Sequence, residues 1–247
     1  MRVITMAAAA SLALAPGLRG QDPSVILEPD HCSIWVSKDA PEASLLTSFG
    51  LLQDQDPEVV RFNGVSWVSF SFENFYLELL WVHDEESFQE NWVWWDPLWE
   101  QRADWRTTDA SPFLLAFHRE DPDNLNLPFR IAEDVNFYED GGWVKHGNPQ
   151  LPYVFVMGPR DAMPDPWWMT PEIREHAKSH PAGIRKLTGV RVSAPEEETH
   201  EAIEVLVSQG ALRTGVAGEH LLELTFDDGR QGKTFDARPD LPLIFYY

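Results

Sequence analysis

The chain has 247 residues, enough for one large domain or two small ones. Hydrophobic residues make up 43% of it, which supports a buried core, and the formal net charge is -21. Because phosphate binding needs a basic surface, this charge argues against nucleic acid and against an anionic membrane surface as partners. We attribute the acidity mainly to solubility. Cys32 is the single cysteine, so an intramolecular disulfide is excluded.

The first residues have the pattern of a secretory signal. Arg2 precedes an apolar run, Val3 to Ala15, that is too short to span a bilayer well. Cleavage is expected after Ala15 or nearer Gly20, which makes residues 1–20 a predicted signal peptide. The protein is then secreted or periplasmic. The alternative is a disordered extension on a cytoplasmic protein, and no later segment is a transmembrane candidate.

The next part of the chain predicts a β-α-β-β-β unit over residues 28–82. It consists of a strand over His31–Ser37, a helix over Pro41–Leu52, a short strand over Val59–Phe62, and a hairpin with strands 66–72 and 75–82. Glu78 lies on the last strand, on the same face as Tyr76 and Leu80. A carboxylate on an apolar strand needs a cation, a donor or water, and His31 is a candidate partner.

A weaker repeat of this order of strands and helices predicts a second, degenerate unit over residues 181–247. It has a strand at Leu187–Ser193, a helix at Glu197–Ser208 and a strand at His220–Phe226. When the two units are aligned, Glu78 lies opposite Glu223. The alignment predicts an internal duplication of about 50 residues.

Between these units, residues 83–180 form a long insertion with connecting strands. Strands are predicted at Ser111–Arg119 and Pro152–Met157, and six tryptophans lie between Trp81 and Trp105. A structureless loop of this length is improbable in a compact domain, so we expect the insertion to pack over the sheets. The tryptophans either form a lid over a ligand or pack the insertion onto the sheet. Whether 111–157 belongs to the first unit, the second or neither stays open.

Several of these segments resemble glyoxalase-like proteins of the vicinal oxygen chelate superfamily, which share the glyoxalase/bleomycin resistance/dioxygenase fold. The segments that carry the resemblance are Asp30-His31, Ser48-Phe-Gly-Leu51, Phe72–Trp81, Ser111-Pro-Phe113, His180-Pro-Ala-Gly183, Leu187-Thr188 and Glu219–Phe226. The resemblance implies an α+β fold in which paired βαβββ modules form a cupped sheet around a divalent metal. In this chain the two modules are unequal and are separated by the tryptophan-rich insertion.

The resemblance also implies metal ligands: a His on the first strand of a module and a Glu on the last. These positions match His31, Glu78 and Glu223, whereas Leu187 stands where the second His is expected. This donor set suits Mn, Fe(II), Ni or Zn, and Glu78 or Glu223 would also move a proton. His118 is a candidate fourth ligand. The substrate pocket is predicted to include Trp67, Ser69, Tyr76 and His118.

Two functions follow from the resemblance. The first is a glyoxalase-like enzyme that chelates a small oxygenated or carbonyl compound at the metal, as a lyase, isomerase or dioxygenase. The alternative is a non-catalytic, resistance-type binding protein without a complete metal site. Convergence of His31, Glu78 and Glu223 in one pocket would favour the enzyme, and a pocket lined by tryptophan and leucine would favour binding. A homodimer is a further expectation, and the sequence leaves open whether it completes the site.

Overall fold

The computed structural model describes residues 27–54, 61–119, 142–144, 146–158 and 169–247. The predicted signal peptide, residues 1–20, lies outside the described residues. Within the described residues, no helix is both long and apolar enough to cross a membrane. The fold is α+β, as the sequence predicts, and consists of a seven-stranded and a five-stranded mixed sheet with helices.

The first unit has the predicted β-α-β-β-β order. Its elements are β1 (Leu27–Trp35), α1 (Ala43–Phe49), β2 (Arg61–Phe62), β3 (Val65–Ser71) and β4 (Tyr76–Val82). The helix is shorter than predicted because Gly50 follows it in the left-handed region, with φ 108°, and its N–H bonds back to Leu46 and Thr47. A Cβ at Gly50 would lie 2.9 Å from the backbone nitrogen of Ala182, so the close approach of these two segments also favours glycine.

The middle of the chain contains short helices followed by strands. They are α2 (Glu85–Phe88), a π-helical turn (Gln89–Val93), α3 (Leu98–Ala103), α4 (Trp105–Thr108), β5 (Phe113–Arg119), β6 (Gly142–Val144) and β7 (Tyr153–Met157). We call residues 85–108 the tryptophan-rich segment. The predicted strands at 111–119 and 152–157 are confirmed to within two residues.

The last part of the chain contains α5 (Pro171–Ser179), β8 (Leu187–Ala194), α6 (Glu201–Ser208), β9 (Arg213–Val216), β10 (Leu221–Phe226), a 3₁₀ turn (Asp227–Gly229), β11 (Thr234–Asp236) and β12 (Leu243–Tyr246). Helix α6 begins later than predicted, because His200 caps it by accepting a hydrogen bond from the Ala202 N–H at 3.2 Å.

The seven-stranded sheet has the order β2-β3-β4-β1-β5-β7-β6. On one side of the β1/β5 junction, β1 is parallel to β4 and β4 is antiparallel to β3. On the other side, β5 is parallel to β7 and β7 is antiparallel to β6. Since β1 and β5 are antiparallel, the pairing pattern repeats about an approximate twofold axis between them. The spatial counterpart of β1–β4 is therefore β5–β7.

The five-stranded sheet has a different connectivity, with the order β11-β12-β10-β8-β9. Here the strand after the helix, β9, lies parallel beside β8, and β10 pairs antiparallel with β8. In the first unit, by contrast, β4 is parallel to β1 and β2 lies at the sheet edge. Residues 181–247 thus share element order with 28–82 but not the sheet order, and β4 and β10 are not equivalent strands.

The main core lies between the two sheets. Alternation places Ile34, Leu79 and Leu115 of the seven-stranded sheet in one cluster with Leu222 and Phe245 of the five-stranded sheet. Cys32 faces this core, opposite to His31, as predicted. Each sheet therefore has one inner face in the core and one outer face turned away from it.

Candidate functional site

The candidate site lies on the outer face of the seven-stranded sheet. Cross-strand register aligns Ser69, Glu78 and Ser33 on neighbouring strands. His31 lies one step along β1 on the same face, paired with Tyr76, and its ring stacks on the Tyr76 ring at a centroid distance of 4.5 Å. We call Asp30, His31, Ser33, Ser69 and Glu78 the polar row.

Asp30 joins two histidines at one end of the polar row. The β1/β5 register shifts between Pro29 and His31, so a bulge brings consecutive residues into one cluster. Asp30 Oδ1 lies 2.7 Å from His31 Nδ1, and Oδ2 lies 2.7 Å from His118 Nε2. Burial opposes ionisation of Asp30, but its hydrogen bonds to His118 and His31 outweigh burial and hold its pKa below the ordinary value. The carboxylate thus orients both rings.

His118 is a bonded core histidine. Its Nε2 lies 2.7 Å from Asp30 Oδ2 and its Nδ1 lies 2.8 Å from the carbonyl oxygen of Gly158. Both ring nitrogens are therefore engaged, and the side chain is only 6% exposed. The structure corrects the expectation that His118 serves as a fourth ligand, because neither nitrogen is available for a metal.

Glu78 is buried at the centre of the polar row. Burial raises the pKa of Glu78, while the charge of His31 and the hydrogen bond from Ser33 partly offset that effect. The Ser33 hydroxyl donates to Glu78 Oε2 at 2.7 Å. The register places His31 and Glu78 on the same face of neighbouring strands, one step apart along the strand direction. A carboxyl group of raised pKa beside an oriented imidazole can donate and accept protons.

Asp54 extends the polar surface beyond Ser69, and the sequence did not point to it. Its backbone N–H bonds to Ser69 O at 2.9 Å, and Oδ2 accepts from the Ser71 hydroxyl at 2.7 Å. Burial raises the pKa of Asp54 to about 7 despite its bonds to Ser71 and Ser69. Its Oδ1 lies 3.6 Å from His176 Nδ1 of α5. In sequence, Asp54 is one of several acidic loop residues, so no local pattern distinguished it.

Glu223 lies on the other side of the molecule, contrary to the predicted ligand set. Its strand neighbours Leu222 and Leu224 face the core, so Glu223 points away from it, on the outer face of the five-stranded sheet. There it accepts a hydrogen bond from Tyr246 at 2.9 Å and pairs with Arg191 at 3.4 Å. Two sheets and the main core separate it from His31 and Glu78. The predicted convergence of the three side chains is wrong.

The described residues do not fit the metal set that the resemblance implies. His31 and Glu78 remain adjacent, but Glu223 is in the other sheet and His118 is fully engaged. Within the ranges that the structure describes, no three His, Cys, Asp or Glu side chains are grouped so that they could hold a metal ion.

The tryptophan-rich segment covers the other part of the same outer face. Trp99 is fully buried, stacks on Tyr153 at a centroid distance of 4.3 Å and meets Trp35 edge-on at 6.2 Å. Trp67, a predicted pocket residue, lies on this face and packs against the same cluster, next to Ser69 along β3. The rings therefore pack the segment onto the sheet, as one of the two sequence alternatives proposed.

A cleft of about 490 Å³ opens beside this segment. It begins at Trp35, which follows Ser33 on the same face of β1, and at Val82 of β4. Phe88 supplies a further apolar wall, and the rest is lined by the residues that follow Trp35 and by charged residues of the tryptophan-rich segment. The volume lies within the range of ordinary small-molecule sites.

Comparisons with known proteins bear on the fold. No protein-family model matches the chain, and no curated protein sequence matches it. Among solved structures, a hypothetical protein from Staphylococcus aureus is similar, with a TM-score of 0.50 and 9% sequence identity. The match covers 89% of this chain and 98% of that chain. At this identity the similarity supports the α+β fold and no particular activity.

Proposed function

We propose that the protein binds a small oxygenated or carbonyl compound on the outer face of the seven-stranded sheet. The observation that carries the proposal is the polar row, in which Glu78 and His31 lie together on an otherwise apolar and aromatic surface. Convergent polar groups among apolar walls are typical of small-molecule sites. Because Glu223 does not join His31 and Glu78, the non-catalytic binding function is favoured over the three-ligand metalloenzyme.

The finer fold assignment is part of this proposal. We propose that β1–β4 and β5–β7 are the paired modules of a glyoxalase-like cup. The repeat of parallel and antiparallel pairs about the β1/β5 junction supports it. In this assignment the outer face is the interior of the cup, the tryptophan-rich segment covers the part of it beside the polar row, and the five-stranded sheet is an additional layer behind it.

The test is a binding screen of carbonyl and catechol compounds by ligand-detected NMR on the purified protein. We expect compounds that bind the wild-type chain to lose at least tenfold in affinity with His31→Ala and Glu78→Gln. Glu223→Gln is the matched control and should bind normally, because it lies on the opposite outer face. Equal losses in all three variants, or no binding by any compound of the panel, would reject the proposal.

Metal content of the same preparations separates the two sequence-based functions. We expect the metal content after incubation with Mn, Fe(II), Ni or Zn to be the same in the wild type, His31→Ala and Glu78→Ala. A near-stoichiometric metal lost in both variants would instead restore the chelate enzyme. In that case, ligands from outside the described residues would have to complete the site.

Proton transfer is the second candidate function, and the state of Glu78 favours it. With its pKa raised by burial, Glu78 keeps a proton to higher pH than an ordinary carboxyl, while Asp30 orients the neighbouring His31. Such a pair can exchange a proton with a carbon next to a bound carbonyl group. The readout is deuterium exchange at that carbon in D₂O, which Glu78→Gln should abolish. Exchange that persists in Glu78→Gln would leave binding as the function.

A further inference from the structure

We infer that the cleft beside the tryptophan-rich segment is a second ligand site, specific for a small organic amine with an apolar body. The cleft is distinct from the polar row. It opens at the far end of β1, where Trp35, Val36, Ser37 and Lys38 line it, and the buried Trp35 lies between it and Ser33.

The floor of the cleft is apolar. Trp35 and Phe88 are each 1% exposed and pack edge-on at a ring centroid distance of 5.7 Å. The buried indole N–H of Trp35 has no hydrogen-bond partner among the described residues. The floor thus fits an aromatic or aliphatic body.

Three carboxylates line the cleft: Glu85, Glu100 and Asp104. Glu85 Oε1 and Glu100 Oε1 accept from the same Gln89 Nε2, at 2.9 and 3.1 Å, so the two carboxylates converge on one donor. Asp104 accepts from the Thr107 hydroxyl. No Lys, Arg or His of the described chain lies within ion-pair distance of any of the three.

The cations of the cleft do not cancel this charge. Arg106 donates to Glu42 Oε1 and to Asp240 O, both at 3.1 Å, and it stacks over Trp105. Lys38 is then the remaining cation of the cleft lining, and it cannot neutralise three carboxylates. An ammonium group near Glu85 and Glu100 is therefore favoured electrostatically, and the net charge of -21 adds to the attraction. An anion of the same shape would be repelled.

The experiment uses calorimetric titration of the full chain with three molecules of nearly the same shape. Tyramine carries the ammonium group, 4-(2-hydroxyethyl)phenol is its neutral counterpart, and 4-hydroxyphenylacetate is the anion. We expect tyramine to bind at least tenfold more tightly than either analogue, with an affinity that falls as salt is added. Equal binding of tyramine and the neutral phenol, or no binding of tyramine, would overturn the inference.

Variants locate the site. The double substitution Glu85→Gln and Glu100→Gln should weaken tyramine binding at least tenfold, and circular dichroism should be unchanged because both side chains are at the surface. Glu86→Gln on the same helix is the control, since Glu86 does not line the cleft. Glu78→Gln should also leave tyramine affinity unchanged, which separates this site from the polar row. Loss of affinity in Glu86→Gln or Glu78→Gln to the same extent would contradict the assignment.

Discussion

Glu78 and Glu223 lie at the centres of strands with similar local sequences, Tyr76-Leu-Glu-Leu-Leu and Leu221-Leu-Glu-Leu-Thr. Glu78 is buried on the outer face of the seven-stranded sheet, and burial raises its pKa. Glu223 lies on the outer face of the five-stranded sheet and pairs with Arg191, whose side chain is 47% exposed. The same residue in the same strand pattern therefore has a candidate functional role on one face and a surface role on the other.

The difference arises from what covers each outer face. On the seven-stranded sheet, Glu78, Ser33 and Ser69 are buried next to the part of the face that the tryptophan-rich segment covers, so these polar side chains must find partners within the protein. On the five-stranded sheet, solvent reaches the Arg191 side chain and partly screens its pair with Glu223. Strand pairing determines which side chains share a face. Burial of that face determines the pKa values of its carboxylates and the hydrogen-bond partners they need.

The largest expected effect comes from removing the cover. Trp99→Ala should lower the free energy of unfolding by about 4 kcal/mol, because a fully buried indole leaves a large cavity against Tyr153. Trp94→Ala is the control and should change it by less than about 0.5 kcal/mol, since Trp94 is 82% exposed. Urea unfolding measures both. Similar losses in the two variants would mean that the segment does not protect the outer face.

Much of this contrast could not be read from the sequence. Alternation predicted the strands around Glu78 and Glu223 and the opposite orientation of Cys32 and His31, because side-chain direction is a local property. Strand order is not local. Residues 187–226 repeat the β-α-β order with a different strand pairing, so the alignment that placed Glu223 opposite Glu78 does not correspond to equivalent positions in the fold. The roles of Asp54 and Asp30 could not be predicted either, because their hydrogen-bond partners are distant in sequence.

A second test of the difference between the two sheets compares two hydrogen-bonded aspartates, one on each sheet. Asp30→Ala should lower the free energy of unfolding by about 3 kcal/mol, because the buried His118 and the part-buried His31 lose their shared acceptor. Asp236→Ala on the five-stranded sheet removes bonds from Arg238 at the surface and should have a much smaller effect. Thermal unfolding at pH 7 distinguishes them. An equal cost at both positions would show that burial does not separate the two faces.

The pH dependence of stability should sharpen the comparison further. The pKa of Asp54 is raised to about 7 from an ordinary value of 3.8, so its protonated form favours the folded state. That contribution is complete below pH 3.8 and is lost as the pH rises towards 7. The stability of the wild type relative to Asp54→Asn should therefore fall by about 3 kcal/mol between pH 4 and pH 7 and stay constant above pH 8. If the stability difference between the wild type and Asp54→Asn did not change with pH, Asp54 would be exposed to solvent and its pKa would not be raised.

The smallest effect on the free energy of unfolding is expected for a substitution of Glu223 on the five-stranded sheet. Glu223→Gln removes the charge that pairs with Arg191 but keeps an acceptor for Tyr246. The Arg191 side chain is 47% exposed and that of Glu223 is 12% exposed, so solvent screens the pair only in part. The free energy of unfolding should therefore fall by about 1 kcal/mol, and the loss should shrink at high salt. Glu78→Gln should instead be insensitive to salt, because its surroundings are buried. A salt-insensitive loss above 2 kcal/mol in Glu223→Gln would mean that the outer face of the five-stranded sheet is also covered, and that Glu223 has a buried partner of its own.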